Sequence, residues 1–210
     1  MANLEILGHP FSTYVRTTRI ACAMKGVSYT LTPMDFRSPE YRAHQPFGRM
    51  PALRHGDVTL YETLAITSYV DSAFDGPPLQ PTAPANRARM LQWISVANDY
   101  LYASVVRVCL TERFIKGFRG QPPDEARLAA GMDAMEEVIG ILDVGLGDGP
   151  FFCGQKATLA DAFIAPIITY FANTPEGAKI LPSAPKLTNW SAAMRDTPKF
   201  DEINSVGDGP

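Results

Sequence analysis

A proline-rich segment near the middle of the chain separates two regions with different hydrophobic patterns. The segment "DGPPLQPTAPAN", residues 75–86, contains four prolines and one glycine, a density that neither a helix nor a sheet strand tolerates. Before it, short apolar runs alternate with amphipathic stretches, whereas after it the apolar residues recur at helical spacing. We therefore expect a mixed α/β domain over residues 1–76, a linker, and an all-α domain over residues 85–210.

The first region predicts a small fold that mixes strands and helices. Its apolar runs are short and bounded by glycine and proline, as is typical of buried strands, and its amphipathic stretches end at residues such as Gly26. The resulting β-α-β, middle segment, β-β-α order is thioredoxin-like. The predicted elements are a strand at 4–7, a helix at 12–25, a strand at 28–34, a hairpin at 51–62 and a helix at 62–74.

Composition and charge argue against several classes of partner. The chain is 46% hydrophobic and 20% charged, which is ordinary for a globular protein. Its formal net charge of -3 offers no basic excess for binding nucleic acid. No apolar run approaches the roughly 18–20 residues that span a bilayer, and the opening "MANLEILGHP" lacks the pattern of a secretory signal. We therefore expect neither a nucleic-acid nor a membrane partner.

Cysteine and histidine spacing indicates neither a disulfide framework nor a metal site. Cys22, Cys109 and Cys153 are scattered, as is typical of small buried residues in a reducing compartment. The histidines also lack the spacing of metal ligands. We therefore expect a cytoplasmic protein without a metal.

Four motifs together resemble one known family. They are "GHPFSTYVR" (8–16), "QPFGRMPAL" (45–53), "LYETLAI" (60–66) and "GQKATLADAFIAP" (154–166). In this order and spacing they resemble the cytosolic glutathione transferases over nearly the whole chain, in particular serine-type, phi-like members, and we expect a bacterial one. The resemblance implies a thioredoxin-like domain that binds glutathione as co-substrate, and a helical domain that contributes the electrophile pocket.

Two of these motifs suggest how glutathione is held. Glu62 and Thr63 open a predicted helix, whose unpaired N–H groups attract a carboxylate. A threonine hydroxyl adds a donor and a glutamate can hold an ammonium group, although the pair could also serve only as a helix cap. The resemblance implies that both bind the γ-glutamyl end of glutathione. It also implies that the bond between Met50 and Pro51 is cis and that the Met50 backbone pairs with the cysteinyl part.

Basic residues before Pro51 are expected to meet the remainder of the tripeptide. By resemblance, Arg49 reaches the peptide itself. The glycine carboxylate has three candidate partners, Arg37, Arg42 and His44, and the residues alone do not choose among them.

A run of three hydroxyls, Ser12, Thr13 and Tyr14, supplies the candidate for catalysis. A thiol with a pKa near 8.5 is only ~3% thiolate at pH 7, and lowering that pKa by two units requires about 2.7 kcal/mol. One hydrogen bond to the charged sulfur, at roughly 1.5–3 kcal/mol, is of the right size. The resemblance points to Ser12, four residues before Arg16, with Thr13 and Tyr14 as alternatives. Arg16 is expected to serve structure or to raise the local positive potential.

The resemblance implies glutathione S-transfer to a hydrophobic electrophile. Phe11, Tyr100 and Phe114 are candidates for the pocket that holds the electrophile, whose identity the sequence does not predict. Phe47 falls where some relatives insert an aromatic side chain into a partner subunit, so we expect a homodimer. A glutathione-dependent disulfide or peroxide reductase is the alternative enzyme, and a non-catalytic interaction module the alternative of another class.

Thr158 and Asp161 predict a structural feature. Their spacing, ahead of an apolar run, is close to that of a capping box. We expect this pair to stabilise the helix by about 0.5–2 kcal/mol and to have no part in catalysis.

Overall fold

The computed structural model describes residues 3–205, and these form two compact units. The first contains residues up to Gln80 together with the C-terminal segment that begins at Thr197, and the second contains Pro81–Asp196. The boundary between the two units, at Gln80 and Pro81, lies within the proline-rich segment. The predicted domain limits at residues 76 and 85 stay predictions. The structure differs from the expected organisation at the C-terminus, because the segment after Asp196 packs with the first unit.

Strands and helices alternate in the first unit, whereas the elements described in the second unit are helices. Helix α4 continues without interruption into a π-type section. In chain order the elements are β1 (Leu4–Leu7), α1 (Thr13–Lys25), β2 (Thr30–Thr32), α2 (Pro39–Arg42), β3 (Ala52–His55), β4 (Val58–Tyr61), α3 (Thr63–Ala73), α4 (Pro84–Val96), the π-type section (Ala97–Ile115), α5 (Lys116–Phe118), α6 (Glu125–Gly145), α7 (Leu159–Phe171), α8 (Pro175–Ile180), a 3₁₀ turn (Leu181–Ser183), α9 (Pro185–Met194) and α10 (Phe200–Asn204).

The sheet of the first unit has the strand order β2-β1-β3-β4. Strands β1 and β2 are parallel, while β3 pairs antiparallel with both β1 and β4. Parallel strands need a crossover connection, and α1 supplies it. This mixed sheet and the helical second unit confirm the predicted fold class.

Alternation along β1 distributes its side chains between the two faces of the sheet. Leu4 and Ile6 are buried in a core with residues of α1 and α3, such as Val15 and Ile66. Leu7 is buried in a separate cluster with Tyr41, from α2. Both faces of β1 are therefore covered, which is why "LEIL" is almost entirely apolar.

Short helices that the sequence patterns did not predict begin with proline. Pro39 and Pro175 occupy the first turns of α2 and α8, where a missing N–H costs nothing. The preceding residues, Ser38 and Thr174, accept cap hydrogen bonds from Tyr41 and Gly177 respectively. Helices of four to six residues are too short for a hydrophobic period to show.

The predicted capping box at the start of α7 is present, and its carboxylate does more than cap. Asp161 Oδ2 accepts from the Thr158 N–H at 2.7 Å, while Oδ1 accepts from the Phe152 N–H at 3.1 Å and from Trp190 Nε1 at 2.8 Å. Asp161 is fully buried. It therefore joins α7 to the preceding loop and to α9, and no predicted active-site residue takes part. Within the described residues, no helix has both the length and the apolar character needed to cross a membrane.

A buried ion pair anchors the start of the proline-rich segment. Lys25 Nζ donates to Asp71 Oδ1 at 2.9 Å and to the Pro77 carbonyl at 3.2 Å, and both side chains of the pair are less than 10% exposed. Burial acts to raise the pKa of Asp71, but hydrogen bonds from the Leu79 N–H, Lys25 and Gln80 outweigh it and lower that pKa. The ionised carboxylate thus holds α1, α3 and the segment together.

Replacing this carboxylate by an amide tests the arrangement. We expect Asp71→Asn to lower the free energy of unfolding by about 3 kcal/mol, because Lys25 then stays buried without its partner charge. Since the pKa of Asp71 is lowered on folding from its ordinary 3.8, its stabilisation is complete above that value and is lost as the pH falls through the folded-state pKa. Denaturant titrations from neutral to acidic pH should show that the wild type loses this part of its free energy of unfolding as Asp71 is protonated, whereas the variant does not. Asp75→Asn, at a nearby exposed carboxylate, is the matched control, and equal losses in both variants would contradict the assignment.

Candidate functional site

The register of the sheet places three predicted motifs at the same end of its strands. Leu7 lies opposite Ala52, and Ala52 lies opposite Tyr61. The chain leaves β1 after Leu7, enters β3 at Ala52 and leaves β4 after Tyr61, so all three connections meet at the same end of the strands. The adjoining residues are 8–12, Met50–Pro51 and Glu62–Thr63.

Backbone hydrogen bonds fold residues 8–12 into a defined turn. The Gly8 N–H donates to the Thr32 carbonyl at 3.1 Å, and the Ser12 N–H donates to the His9 carbonyl at 3.0 Å. The His9 N–H donates to the Met50 sulfur at 3.0 Å. The turn that begins α1 is therefore tied to β2 and to the segment before Pro51.

Ser12 is the N-cap residue of α1. Its Oγ accepts from the Val15 N–H at 3.4 Å, which occupies a lone pair of the oxygen and leaves its own O–H to donate elsewhere. Ser12 and Tyr14 are partly exposed, whereas Thr13 is only 8% exposed. Among the three hydroxyls, Ser12 thus combines access with a position at the positive end of a helix.

Met50 presents its backbone beside this turn. The Met50–Pro51 peptide bond is cis, as expected from the resemblance. Within residues 3–205, no turn, loop or side-chain hydrogen bond uses the Met50 N–H or C=O. An extended ligand segment could therefore pair with both groups.

Two buried side chains that the sequence reasoning missed hold the segment before Met50. Tyr41 Oη donates to the Arg49 carbonyl at 2.8 Å, and Gln45 Oε1 accepts from the Arg49 N–H at 3.0 Å. Tyr41 and Gln45 are at most 1% exposed, and burial raises the pKa of Tyr41 to about 12. Tyr41 lies in α2, which is too short to show a hydrophobic period, and Gln45 lies in the loop that follows, so no sequence pattern marks either residue as a positioning group.

The start of α3 offers unpaired donors and a strained residue. Glu62 precedes the helix with a φ of 69°, in the left-handed region that favours glycine, and its side chain makes no cap hydrogen bond. The first N–H groups of α3 therefore lack both intrahelical and side-chain acceptors. Thr63, 8% exposed, lies at the same helix end. An uncapped helix N-terminus of this kind suits an anion, and binding by Glu62 and Thr63 stays a prediction.

The basic candidates have different environments. Arg37 lies over the Phe36 ring at 5.2 Å, and Arg42 Nη1 donates to the Pro46 carbonyl at 3.4 Å. Arg49 is exposed, and His44 lines a cavity of about 470 Å³ on the sheet and α2. Arg37, Arg42 and His44 stay predictions as partners of the glycine carboxylate, and Arg49 stays a prediction as a partner of the peptide.

Aromatic candidates are divided between the two units. Phe11 stacks on His9 with ring centroids 4.9 Å apart, and burial lowers the pKa of His9, which favours an uncharged ring. In the second unit Tyr100 is 66% exposed, and Phe114 contacts Tyr170 at 5.4 Å between centroids. A pocket formed by Phe11, Tyr100 and Phe114 stays a prediction.

A larger cavity, of about 650 Å³, lies within the second unit. Its lining includes Arg89 and Cys153 and the ring of Trp93, and it contains none of the predicted site residues. The residues predicted to bind and activate glutathione all belong to the first unit.

Comparison with known proteins matches both units to one family. The N-terminal domain model of the glutathione S-transferases matches residues 7–78, and the C-terminal domain model of the same family matches residues 125–193. The matched residues include all of the turn, cis-proline and α3 positions described above.

Individual relatives cover nearly the whole chain. Glutathione S-transferase 1 of Triticum aestivum is 26% identical over 97% of this chain and 94% of its own. Glutathione transferase F7 of Populus trichocarpa superposes with a TM-score of 0.86 at 25% identity, over 95% of this chain and 97% of its own. A theta-class enzyme of Xanthomonas axonopodis pv. citri, solved with glutathione bound, has a TM-score of 0.83 at 26% identity, with 99% of both chains covered. The chain therefore belongs to the glutathione S-transferase family.

Proposed function

We propose that the protein is a glutathione S-transferase that activates the glutathione thiol with the Ser12 hydroxyl. The observation that carries this proposal is the geometry of the α1 N-cap. Ser12 Oγ accepts from the Val15 N–H and keeps its own O–H for a ligand, at the same sheet end as Met50 and α3. The same family is matched over both units of the chain.

The hydroxyl acts by stabilising charge. A hydrogen bond from Ser12 to the thiolate, at roughly 1.5–3 kcal/mol, and the α1 N-terminus, at about 0.3–1 kcal/mol, lower the thiol pKa by about two units. The thiol proton goes to solvent. The thiolate sulfur then attacks the electrophilic carbon, an S–C bond forms, and the leaving group departs with the electron pair of its broken bond.

The remaining positions orient the tripeptide. The N–H groups at the start of α3 and the Thr63 hydroxyl receive the γ-glutamyl carboxylate, and Glu62 receives the neighbouring ammonium. The Met50 backbone, next to the cis bond to Pro51, pairs with the cysteinyl part. Arg49 reaches the peptide, and one of Arg37, Arg42 and His44 meets the glycine carboxylate.

Several finer assignments extend this proposal. A hydrophobic electrophile is held by Phe11, Tyr100 and Phe114. Reduction of disulfides or peroxides would use the same glutathione site and is the second candidate activity. The cytoplasmic setting stays a prediction. The assignment to a phi-like bacterial member also stays a prediction, because the wheat enzyme and the theta-class enzyme of Xanthomonas axonopodis pv. citri are equally similar to the chain, at 26% identity each.

Two substitutions at Ser12 separate its catalytic from its capping role. We expect Ser12→Ala and Ser12→Gly both to lower kcat/KM for a chloronitrobenzene by roughly 10- to 100-fold, because each removes the donor to sulfur. Alanine should also lower the free energy of unfolding by about 0.5–2 kcal/mol, whereas glycine costs only a few tenths. Steady-state kinetics, glutathione titration and denaturant unfolding check these outcomes.

The same experiment discriminates the alternatives. Unchanged conjugation in both Ser12 variants, with a large loss in Thr13→Val, would show that Thr13 is the activating hydroxyl. Strong turnover of a glutathione-capped disulfide with weak conjugation would favour the reductase. Wild-type protein that fails to bind glutathione would favour the interaction module.

The charge of Glu62 should strengthen binding only for a ligand that carries the α-ammonium group. We expect Glu62→Gln to weaken glutathione binding by about tenfold, as for the loss of one charge-assisted hydrogen bond. A glutathione analogue without the α-amino group should bind the wild type and the variant equally. Calorimetric titration of both ligands checks this, with Asp57→Asn in the β3–β4 turn as the control. Equal weakening for both ligands would remove Glu62 from its proposed role.

We propose a homodimer in which Phe47 contacts the partner subunit. Phe47 is 67% exposed, and its ring lies edge-on to that of Tyr61 with centroids 6.0 Å apart. An exposed aromatic side chain of this kind is typical of an interface anchor. Phe47→Ala should weaken self-association by at least tenfold in sedimentation velocity at micromolar concentration, with Val144→Ala, at another exposed apolar residue, as the matched control. A monomeric wild type would overturn the proposal.

A further inference from the structure

We propose that Arg16 is a positioning residue for Ser12, and that the C-terminal segment 197–205 acts through it. This inference rests on the proposed function, because it concerns how the activating hydroxyl is held. It assigns a role in the reaction to a helix that lies almost 190 residues further along the chain.

Arg16 lies one helical turn after Ser12 and is 1% exposed. Its Nε donates to the Pro10 carbonyl at 3.0 Å, in the turn that leads into Ser12. Its Nη1 and Nη2 donate to the carbonyls of Asn204 and Ser205, at 3.1 Å and 2.7 Å. One planar guanidinium therefore connects the catalytic turn with the end of α10.

The carbonyls at the end of α10 suit this cation. Asn204 is the last residue of α10 and Ser205 follows it, so neither carbonyl has an intrahelical donor, and each oxygen carries partial negative charge. Segment 197–205 belongs to the first unit, where α10 packs against α1, and its Phe200 and Ile203 are buried, 3% and 1% exposed. Its anchoring thus comes from apolar packing, while the guanidinium transmits the position of the segment to Pro10.

Burial makes the connection stiff. A buried guanidinium that loses an acceptor is left with an unsatisfied charged donor, which is costly. Its acceptors are consequently held at fixed separations. Pro10 is two residues before Ser12, and the Ser12 N–H is bonded to the His9 carbonyl at 3.0 Å, so a displacement of Pro10 displaces the hydroxyl. Misplacement by about 1 Å can lower a rate by 10²-fold.

Two variants interrupt the connection at different points. Arg16→Lys keeps the charge but loses the planar fork, and Ile203→Ala loosens α10 without altering Arg16 or the turn. We expect each to raise the pKa of the bound glutathione thiol by about one unit, a tenfold loss of thiolate below that pKa, with glutathione affinity within about twofold. Ultraviolet absorbance of the thiolate and the pH profile of kcat/KM measure the shift. The double variant should show no more than the larger single shift, because both changes break the same connection.

Arg19→Lys is the matched control. Arg19 is in the same helix and lies 3.9 Å from Glu202 of α10, but its Nε donates to Tyr29 at 2.9 Å instead of to the turn. It should leave the thiol pKa unchanged. Amide hydrogen exchange at Ser12, measured without ligand, should accelerate in Arg16→Lys and Ile203→Ala and not in Arg19→Lys.

The possible outcomes separate the two proposals. A folded Arg16→Lys variant with wild-type thiol pKa and wild-type exchange at Ser12 overturns the positioning role, even if Ser12 is catalytic. Shifts that add in the double variant overturn the route through segment 197–205. If the wild type binds no glutathione, the proposed function fails and the inference fails with it.

Discussion

The alignment of three strands is the constraint on which the rest of the candidate site depends. Leu7, Ala52 and Tyr61 are neighbours across β1, β3 and β4, so three connections separated by tens of residues emerge at one end of the sheet. A shift of one residue in the β1–β3 pairing would turn Leu7 away from Tyr41 and bring Glu5 into the core that Leu4 and Ile6 occupy. The apolar faces of β1 therefore hold the register, and the register in turn brings the site together.

Irregular backbone around the site is held by buried polar side chains. Strands and helices satisfy their own N–H and C=O groups, whereas turns require partners from elsewhere. Arg16 supplies them for the turn before α1, Tyr41 for the segment before Pro51, and Lys25 for the start of the proline-rich segment. Each of these side chains is at most 5% exposed. The proposed binding groups thus lie on loops whose positions are set by the packed interior.

The capping and the proposed catalytic roles of Ser12 are compatible because they use different parts of one hydroxyl. The oxygen accepts from the Val15 N–H, and the hydrogen is free to donate to sulfur. The start of α3, unlike that of α1, has no capping side chain. Glu62 makes no cap hydrogen bond, which leaves the N–H groups of that helix for a ligand. One helix end is capped and the other open, as expected if the first acts on the thiol and the second binds a carboxylate.

The sequence patterns were most informative where an element is long or where its chemistry is local. Strand β1, helix α1 with its stop at Gly26, and the Thr158–Asp161 capping box follow from period and cap residues. Short helices such as α2 and α10 could not be predicted in this way, since they lack a full hydrophobic period. The motif resemblance led to the family and to the cis bond at Pro51, which spacing by itself does not indicate.

By itself the sequence determined which residue types are available for chemistry: a hydroxyl at a helix start, a cis-proline segment and an acidic helix N-terminus. Only the tertiary structure decided how they are held. The partners of Arg16 are carbonyls of Asn204 and Ser205, and backbone carbonyls have no residue signature. The placement of segment 197–205 with the first unit was likewise decided only by the tertiary structure. It depends on long-range packing of a five-residue helix, and local propensity does not encode such contacts.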